Sequence, residues 1–307
     1  MTAFTVGGEA VGLPEGAFAH SRRIDVRWQD RHVFSFSQGP WRACLYPVYT
    51  PSGIAVTSES PVDHPHHNSI WIAADRVAAL LPFADGCRES ALYNFYVNDT
   101  FQGRTPGRIV AVDLRHDEID AQHLRLTQQL QWRGPTEWGA PDGRLIARER
   151  RIVDLRCTEA CYVIDLCSQL SATDWELTVG PTRHAYHGVR VIESLRQSHG
   201  GVVCDSNGSQ GAATVSGSVS DWVDMSGPVG GGRTAGIALM PHADCAGHEW
   251  FVTDWGTMTV NPFAGSRRDI PMGQSLHLGA RIVVHDGEAK PEMLTDLQAR
   301  MATDTLQ

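Results

Sequence analysis

Short runs of alternating apolar and polar residues recur along the chain, and most carry the two-residue period of a half-buried strand. Residues 23–28 (RIDVRW) and 32–37 (HVFSFS) alternate in this way, and Gln29-Asp30-Arg31 between them suits a turn. In residues 122–132, Leu124, Leu126, Leu130 and Trp132 fall on one face, with one break in the series. Residues 145–155, 161–170, 235–240, 250–253 and 276–284 continue the pattern to the end of the chain. Turn chemistry separates the runs: Pro51-Ser52-Gly53, Pro141-Asp142-Gly143, Ser206-Asn207-Gly208 and Asp286-Gly287. The glycine-rich stretch 227–232 reads as a turn between two strands, because it lacks the Gly-Lys-Ser/Thr ending of a phosphate loop.

Two segments alone carry a helical signal. Residues 76–81 form a short one. Residues 291–303 predict a C-terminal helix, with Pro291 first, acids early and Arg300 late. Many strands without a βαβ rhythm predict an all-β fold. The expectation is a large antiparallel β-sandwich of two sheets, with residues 1–307 forming a single domain that ends in the short helix.

Composition narrows the chemistry. The chain has 307 residues, with 26 Lys+Arg against 35 Asp+Glu and a formal charge of -9. Lys290 is the only lysine, which disfavours Schiff-base chemistry. The bias to Arg fits a GC-rich bacterial genome. A net acidic chain without a basic run makes a poor polyanion binder, so nucleic acid is not an expected partner. No apolar stretch reaches about 18 residues, so no membrane span is expected. The first nine residues lack a basic segment followed by an apolar one, so a cytoplasmic location is the default expectation. The 7 Cys form no CxxC pair and none stands beside a His in sequence. They read as small buried hydrophobes.

The 14 His are the most numerous candidates for acid–base or metal chemistry. Three stand in Asp63-His64-Pro65-His66-His67-Asn68, just before Ile70-Trp71-Ile72. An extended chain would send His64 and His66 to one side and His67 to the other. Asp63 could hold an imidazole in one tautomer. A second cluster, Arg183-His184-Ala185-Tyr186-His187, offers two imidazoles, a guanidinium for an oxyanion and a phenol for proton transfer. Late in the chain come Asp221-Trp222-Val223-Asp224, Asp254-Trp255-Gly256 and Asn261-Pro262-Phe263. Trp beside Asp can stack on a sugar's C–H face and bond its hydroxyls. Residues 93–98 alternate aromatic and polar side chains and could wall a pocket.

Together these motifs resemble a family of unknown function, DUF6807, also labelled the PmoA family. The first motif runs from Arg42 to Gly53 (RACLYPVYTPSG) and continues at Asp63-His64-Pro65-His66-His67. The closing motif is Asp254-Trp255-Gly256 with Asn261-Pro262-Phe263. The resemblance spans roughly residues 40–285. It implies a bacterial sandwich protein of sugar catabolism, built like the aldose-epimerase supersandwich. The methane-oxygenase reading of the PmoA label conflicts with the lack of an apolar span. One departure stands out. Where the family tends to a Lys-Glu-Gly-Gly type of stretch, this chain has Arg183-His184-Ala185-Tyr186-His187 before Gly188.

Three functional expectations follow. The first is an enzyme acting on a sugar, glycoside or keto-sugar by histidine acid–base catalysis, of epimerase, lyase or hydrolase type. Its acid–base groups would be His66, His67, His184, His187, Arg183 and Tyr186. Its substrate contacts would be Arg42, Asn68, Trp71, Trp222, Asp224, Asp254 and Asn261. This reading needs no cofactor. The second is a metal-dependent enzyme with one divalent transition metal (Zn, Fe or Mn) on His64, His66 and His187. The third is a non-catalytic carbohydrate-binding sandwich. In each case the expected partner is a small sugar-like molecule, with homo-oligomers compatible.

Overall fold

A computed structural model describes residues 2–8 and 22–304. His20 and most of the leading segment lie outside the described residues. Two eight-stranded antiparallel sheets and a small third sheet make up the molecule. The first sheet runs β1 (Phe4–Gly7), β2 (Arg22–Trp28), β3 (Arg31–Gln38), β4 (Ala43–Val48), β5 (Ile70–Ala74), β13 (Ala185–Arg190), β18 (Thr257–Val260) and β17 (Phe251–Val252). The second runs β14 (Val202–Asp205), β15 (Val223–Pro228), β16 (Thr234–Pro241), β20 (Ser275–Asp286), β11 (Cys161–Ser171), β10 (Leu145–Cys157), β9 (His123–Arg133) and β8 (Arg108–Asp120).

The strands follow the alternation closely. In β9, Leu124, Leu126, Leu130 and Trp132 are buried, and Gln128 fills the break in the series. The β2–β3 turn uses two residues, Gln29 (φ 50°) and Asp30 (φ 64°), both left-handed. That conformation matches the twist of a tight hairpin, with Trp28 paired to Arg31. One apolar core lies between the two sheets: Val26, Phe34, Phe36, Ile70 and Ile72 from the first meet Leu124, Trp132, Ile164, Leu166 and Ile282 from the second. Each such side chain contributes about 1.5–3 kcal/mol by leaving water.

The C-terminal helix forms at Pro291–Asp304. It packs Leu294 and Met301 on the outer face of the second sheet, against Trp222, Val163 and Val283. The short helix expected at 76–81 is instead a strand, β6 (Val77–Pro82). Val77, Ala79 and Leu81 are its buried positions, a two-residue period that pairs with β7 (Arg88–Tyr93) and β12 (Glu176–Val179). With β19 (Arg268–Ile270) these form the third sheet. No described helix is long and apolar enough to cross a membrane.

Candidate functional site

The loop between β4 and β5 carries the first histidine cluster. It does not run extended. The His64 amide bonds the Pro61 carbonyl (3.0 Å) and the His67 amide bonds the His64 carbonyl (2.9 Å), so two successive turns curl the segment. All three imidazoles therefore converge, where an extended chain would have split them. The His64 and His67 rings stack at 4.9 Å and 11°, and His66 stands edge-on to His67 at 4.5 Å. The loop folds back over the outer face of β5. There His67 stacks on Trp71 (5.0 Å, 16°), and Trp255 closes the other end of the column on His64 (4.1 Å, 9°). The result is four stacked rings: Trp255, His64, His67, Trp71. Gly188 makes room beneath them, since a Cβ there would lie 2.2 Å from Trp71 Cζ2.

Hydrogen bonds set the tautomer of His67. Its Nδ1 faces Arg190 Nη1 (3.4 Å) and Thr257 Oγ1 (3.3 Å), and a guanidinium can only donate. Nδ1 is thus an acceptor and Nε2 carries the proton, which it donates to the Tyr96 hydroxyl (3.2 Å). Burial, helped by His66, His64 and the nearby guanidiniums, pushes the His67 pKa down to about 2. His66 is lowered to about 3 by burial and by Arg42, so both rings are neutral at physiological pH. Among the described residues no protein group bonds the ring nitrogens of His66. Burial pushes the Tyr96 phenol up to about 12, with Asp75 adding to it, so it remains a proton donor.

Asp63 lies behind the column. Arg190 Nη2 reaches both its oxygens at 2.7 Å, and His64 Nδ1 is 3.3 Å away. Burial works to raise this carboxyl, but the bonds from Arg190 and His64 outweigh it and hold the group well below the usual range.

His184 arrives from the opposite end of β5. The Asp75 amide bonds the His184 carbonyl, which sets the two side chains alongside each other. His184 Nδ1 donates to Asp75 Oδ2 (3.1 Å), and its Nε2 accepts from Arg183 Nε (3.1 Å). The buried Asp75 also accepts from Thr182 Oγ1 and Arg104 Nη2. Asp75 thereby orients the imidazole, as a carboxylate does behind a working His.

The two histidine segments meet across Tyr96. Its ring lies 5.3 Å from His66 and 5.2 Å from His184. They enclose a cavity of about 240 Å³, completed by His64, His67, Val97, Phe101, Arg183, Phe251 and Trp255. Among the described residues no Asp or Glu lines it; Asp63 and Asp75 stand behind their imidazoles. The lining thus offers four imidazoles, of which His66 and His67 are neutral, one phenol and, at the mouth, the exposed guanidinium of Arg183. Its volume is below the about 300–1,000 Å³ of drug-sized sites, so it suits a small ligand.

A family profile for a family of unknown function, DUF6807, matches residues 23–299. The chain belongs to the DUF6807 family. No curated protein matches it. Among solved structures it is similar to the alpha-galactosidase from Lactobacillus brevis, at 8% identity and a TM-score of 0.43. That match covers 90% of this chain and 40% of the other, so the chain spans about two-fifths of that protein's length.

In this DUF6807 chain, His64, His66, His67, Arg183 and His184 share the cavity, whereas Tyr186 and His187 do not. Tyr186 points into the sandwich, where its hydroxyl meets Ser168 Oγ (2.8 Å) and its ring stacks on Trp132. His187 is buried beside Tyr186 with neither ring nitrogen bonded, and burial lowers its pKa to about 3. The expected metal set of His64, His66 and His187 is therefore not assembled. Among the described residues no three His, Cys, Asp or Glu side chains group as metal ligands.

The candidate substrate contacts divide similarly. Arg42 is buried and braces the site from behind: it donates to the carbonyls of His66 (2.7 Å) and Tyr96 and to Asn98 Oδ1 (3.1 Å). Asn68 is buried and closes the loop onto Ser60. Trp71 supports His67 from below. Asn261 holds the second segment in place, donating to the Thr182 carbonyl at 2.7 Å. Asp254 is exposed and does not line the cavity. Asp224 lies in β15 of the second sheet, and Trp222 directly precedes that strand. There Trp222 anchors the C-terminal helix through Thr295, and Asp224 pairs with the buried His285 at 2.8 Å.

Sequence reasoning left Asp75, Tyr96, Arg190 and Trp255 out of the candidate set. Tyr96 and Trp255 stand in aromatic motifs that it singled out. Asp75 and Arg190 carried no local signal, because each becomes a partner only when β5 and β13 pair.

Proposed function

We propose that this cavity performs acid–base catalysis on a small carbonyl-bearing, sugar-like substrate. The observation that carries this reading is the placement of His66 and His184 on either side of Tyr96, in a cavity that no carboxylate lines among the described residues. Among the described residues no protein group claims the ring nitrogens of His66, so its lone pair is free to accept a proton. It takes the proton beside the substrate carbonyl. His184, held by Asp75 through Nδ1, takes a proton at Nε2 from solvent once Arg183 turns to the substrate, and passes that proton to the substrate. The oxyanion is met by the Tyr96 hydroxyl, whose own proton is uncommitted because it accepts from His67, and by Arg183. Epimerisation and elimination share this step.

The test is solvent exchange. Purified protein is incubated in D2O with a panel of keto-sugars and sugar acids, and the C–H bond beside the carbonyl is followed by NMR. Deuterium incorporation that disappears in His66→Ala and His184→Ala supports the reading. Saturable binding of a panel member without exchange or turnover in the unmodified protein rejects it, in favour of a carbohydrate-binding sandwich.

A further inference from the structure

A second cavity, of about 370 Å³, opens on the outer face of the second sheet, remote in the fold from the histidine column. Its floor is formed by side chains that alternate to that face. Asp165 and Cys167 come from β11, and Arg281 comes from β20. His242 follows β16 directly and bonds its amide to the Gly279 carbonyl (3.0 Å). The His242 ring packs against Gly279, where a Cβ would come within 2.5 Å of Nδ1. Gly279 is the cross-strand partner of Cys167, so the same glycine that admits the ring places it beside the thiol.

The resulting order is Cys167, His242, Asp165. Cys167 Sγ is 3.8 Å from His242 Nδ1, and His242 Nε2 is 3.3 Å from Asp165 Oδ1. Asp165 is itself fixed by Arg281, through Nε at 2.7 Å and Nη2 at 2.8 Å. A carboxylate that orients an imidazole, and an imidazole that reaches a thiol, form the arrangement that activates a cysteine nucleophile. Cys167 is half-buried and lines the cavity, whereas Cys44, Cys157, Cys161 and Cys245 are buried. Burial lowers the His242 pKa, but Asp165 and Cys167 outweigh it and raise the value to about 9, which favours a positive charge beside the Cys167 sulfur.

The walls add charge. Arg125, Arg150 and Arg156 line the cavity together with Arg281, against Asp154 and Asp165. Arg125 pairs with Asp154 at 2.9 Å and Arg281 with Asp165 at 2.7 Å, whereas no described carboxylate pairs with the exposed Arg150. That guanidinium draws small anions to the thiol.

We propose that this cavity is a second reactive site, in which Cys167 is a nucleophile set by His242 and Asp165 and attacks small anionic electrophiles, above all carboxylate-bearing disulfides. In that step the Cys167 thiol gives up its proton, to His242 Nδ1 when that ring is neutral and to solvent when the ring is already charged. The thiolate forms a bond to one sulfur of the disulfide, the disulfide's own S–S bond breaks, and the other half leaves as a thiolate. The product is a mixed disulfide on Cys167, and no net oxidant is needed beyond the disulfide itself.

The experiment compares two disulfide probes on the full chain: the dianionic 5,5′-dithiobis(2-nitrobenzoate) and the uncharged 2,2′-dithiodipyridine. Peptide mass mapping locates the modified cysteines. The expected result is that Cys167 reacts first with the anionic probe, ahead of the exposed Cys87. The anionic-to-neutral rate ratio at Cys167 should exceed that at Cys87 by about 10-fold or more. H242Q should slow Cys167 with both probes. R150S, at an exposed position, should lower the ratio while leaving the neutral probe's rate unchanged, so this arm stands even if H242Q does not fold. A Cys167 that reacts no faster than Cys87, or a ratio unmoved in R150S, overturns the proposal.

Discussion

The imidazole of His64 lies face to face with the indole of Trp255, 4.1 Å away and tilted by 9°. Trp255 follows β17 and His64 precedes β5, so the contact exists only because the first sheet brings these loops together. Trp255→Ala removes one end of the ring column and leaves His64 free to turn. Such a ring pair contributes about 0.5–1.5 kcal/mol beyond its buried area. We expect a modest loss of stability in chemical denaturation and a larger loss in substrate affinity. An affinity equal to that of the unmodified chain would argue that the column is purely structural.

His66→Ala and His184→Ala should each reduce solvent exchange by about 10²–10⁴-fold, the usual worth of a positioned acid or base. The two variants should retain the circular dichroism of the unmodified protein, because both rings are half-buried at the cavity wall. His187→Gln should behave differently. Its ring sits in the core beside Tyr186, with neither nitrogen bonded among the described residues, so exchange at the cavity should persist. Loss of exchange in a folded His187→Gln protein would place this residue back in the chemistry.

Asp75→Asn tests the support beneath His184. The buried carboxylate serves His184, Thr182 and Arg104 at once. Breaking a buried ionic contact of this kind costs about 3–5 kcal/mol. We expect a clear fall in melting temperature together with a drop in turnover. If turnover survives in the folded variant, Asp75 is dispensable for positioning His184.

Stability should depend on pH in two opposed windows. His66 and His67 have folded pKa values near 3 and 2, below the unfolded value near 6.5. Between about pH 6.5 and 3 the unfolded chain therefore binds more protons at these positions, and stability falls as pH falls. His242 is raised to about 9, so its contribution is full below about pH 6.5 and is lost as pH rises through 9. Denaturant midpoints measured from pH 4 to 10 should peak near neutrality. His67→Gln should flatten the acid limb, and His242→Gln the alkaline one. An unchanged acid limb in His67→Gln would mean that His67 takes up no extra protons on unfolding.

Gly188→Ala should destabilise by about 1–3 kcal/mol, the cost of overpacking a filled core. The new methyl would meet three atoms of the Trp71 ring within 3 Å. Because Trp71 carries His67, substrate affinity should fall along with the melting temperature. A neutral substitution would show that Trp71 can shift without cost.

Much of the architecture was legible in the chain itself. Alternation of apolar and polar residues is a local property, and β2, β3, β9, β10, β11, β16 and β20 formed where it was clear. Pro291 and the early acids marked the terminal helix for the same local reason. The segment 76–81 misled because a short apolar run has no intrinsic period. Its strand state came from pairing with β7 and β12, which lie elsewhere in sequence. The two histidine clusters also stood out, since three imidazoles in four residues need no fold to be noticed.

What the chain could not reveal was direction and partnership. Whether His64, His66 and His67 converge depends on two backbone turns, and whether His187 faces a cavity or the core depends on which sheet covers it. Asp75 became the partner of His184, and Cys167 the neighbour of His242, only through cross-strand register. Residue type and spacing determine which chemistry a chain can carry. The packing of two sheets decides which of those groups share one space, because burial and contact are set by residues distant in sequence.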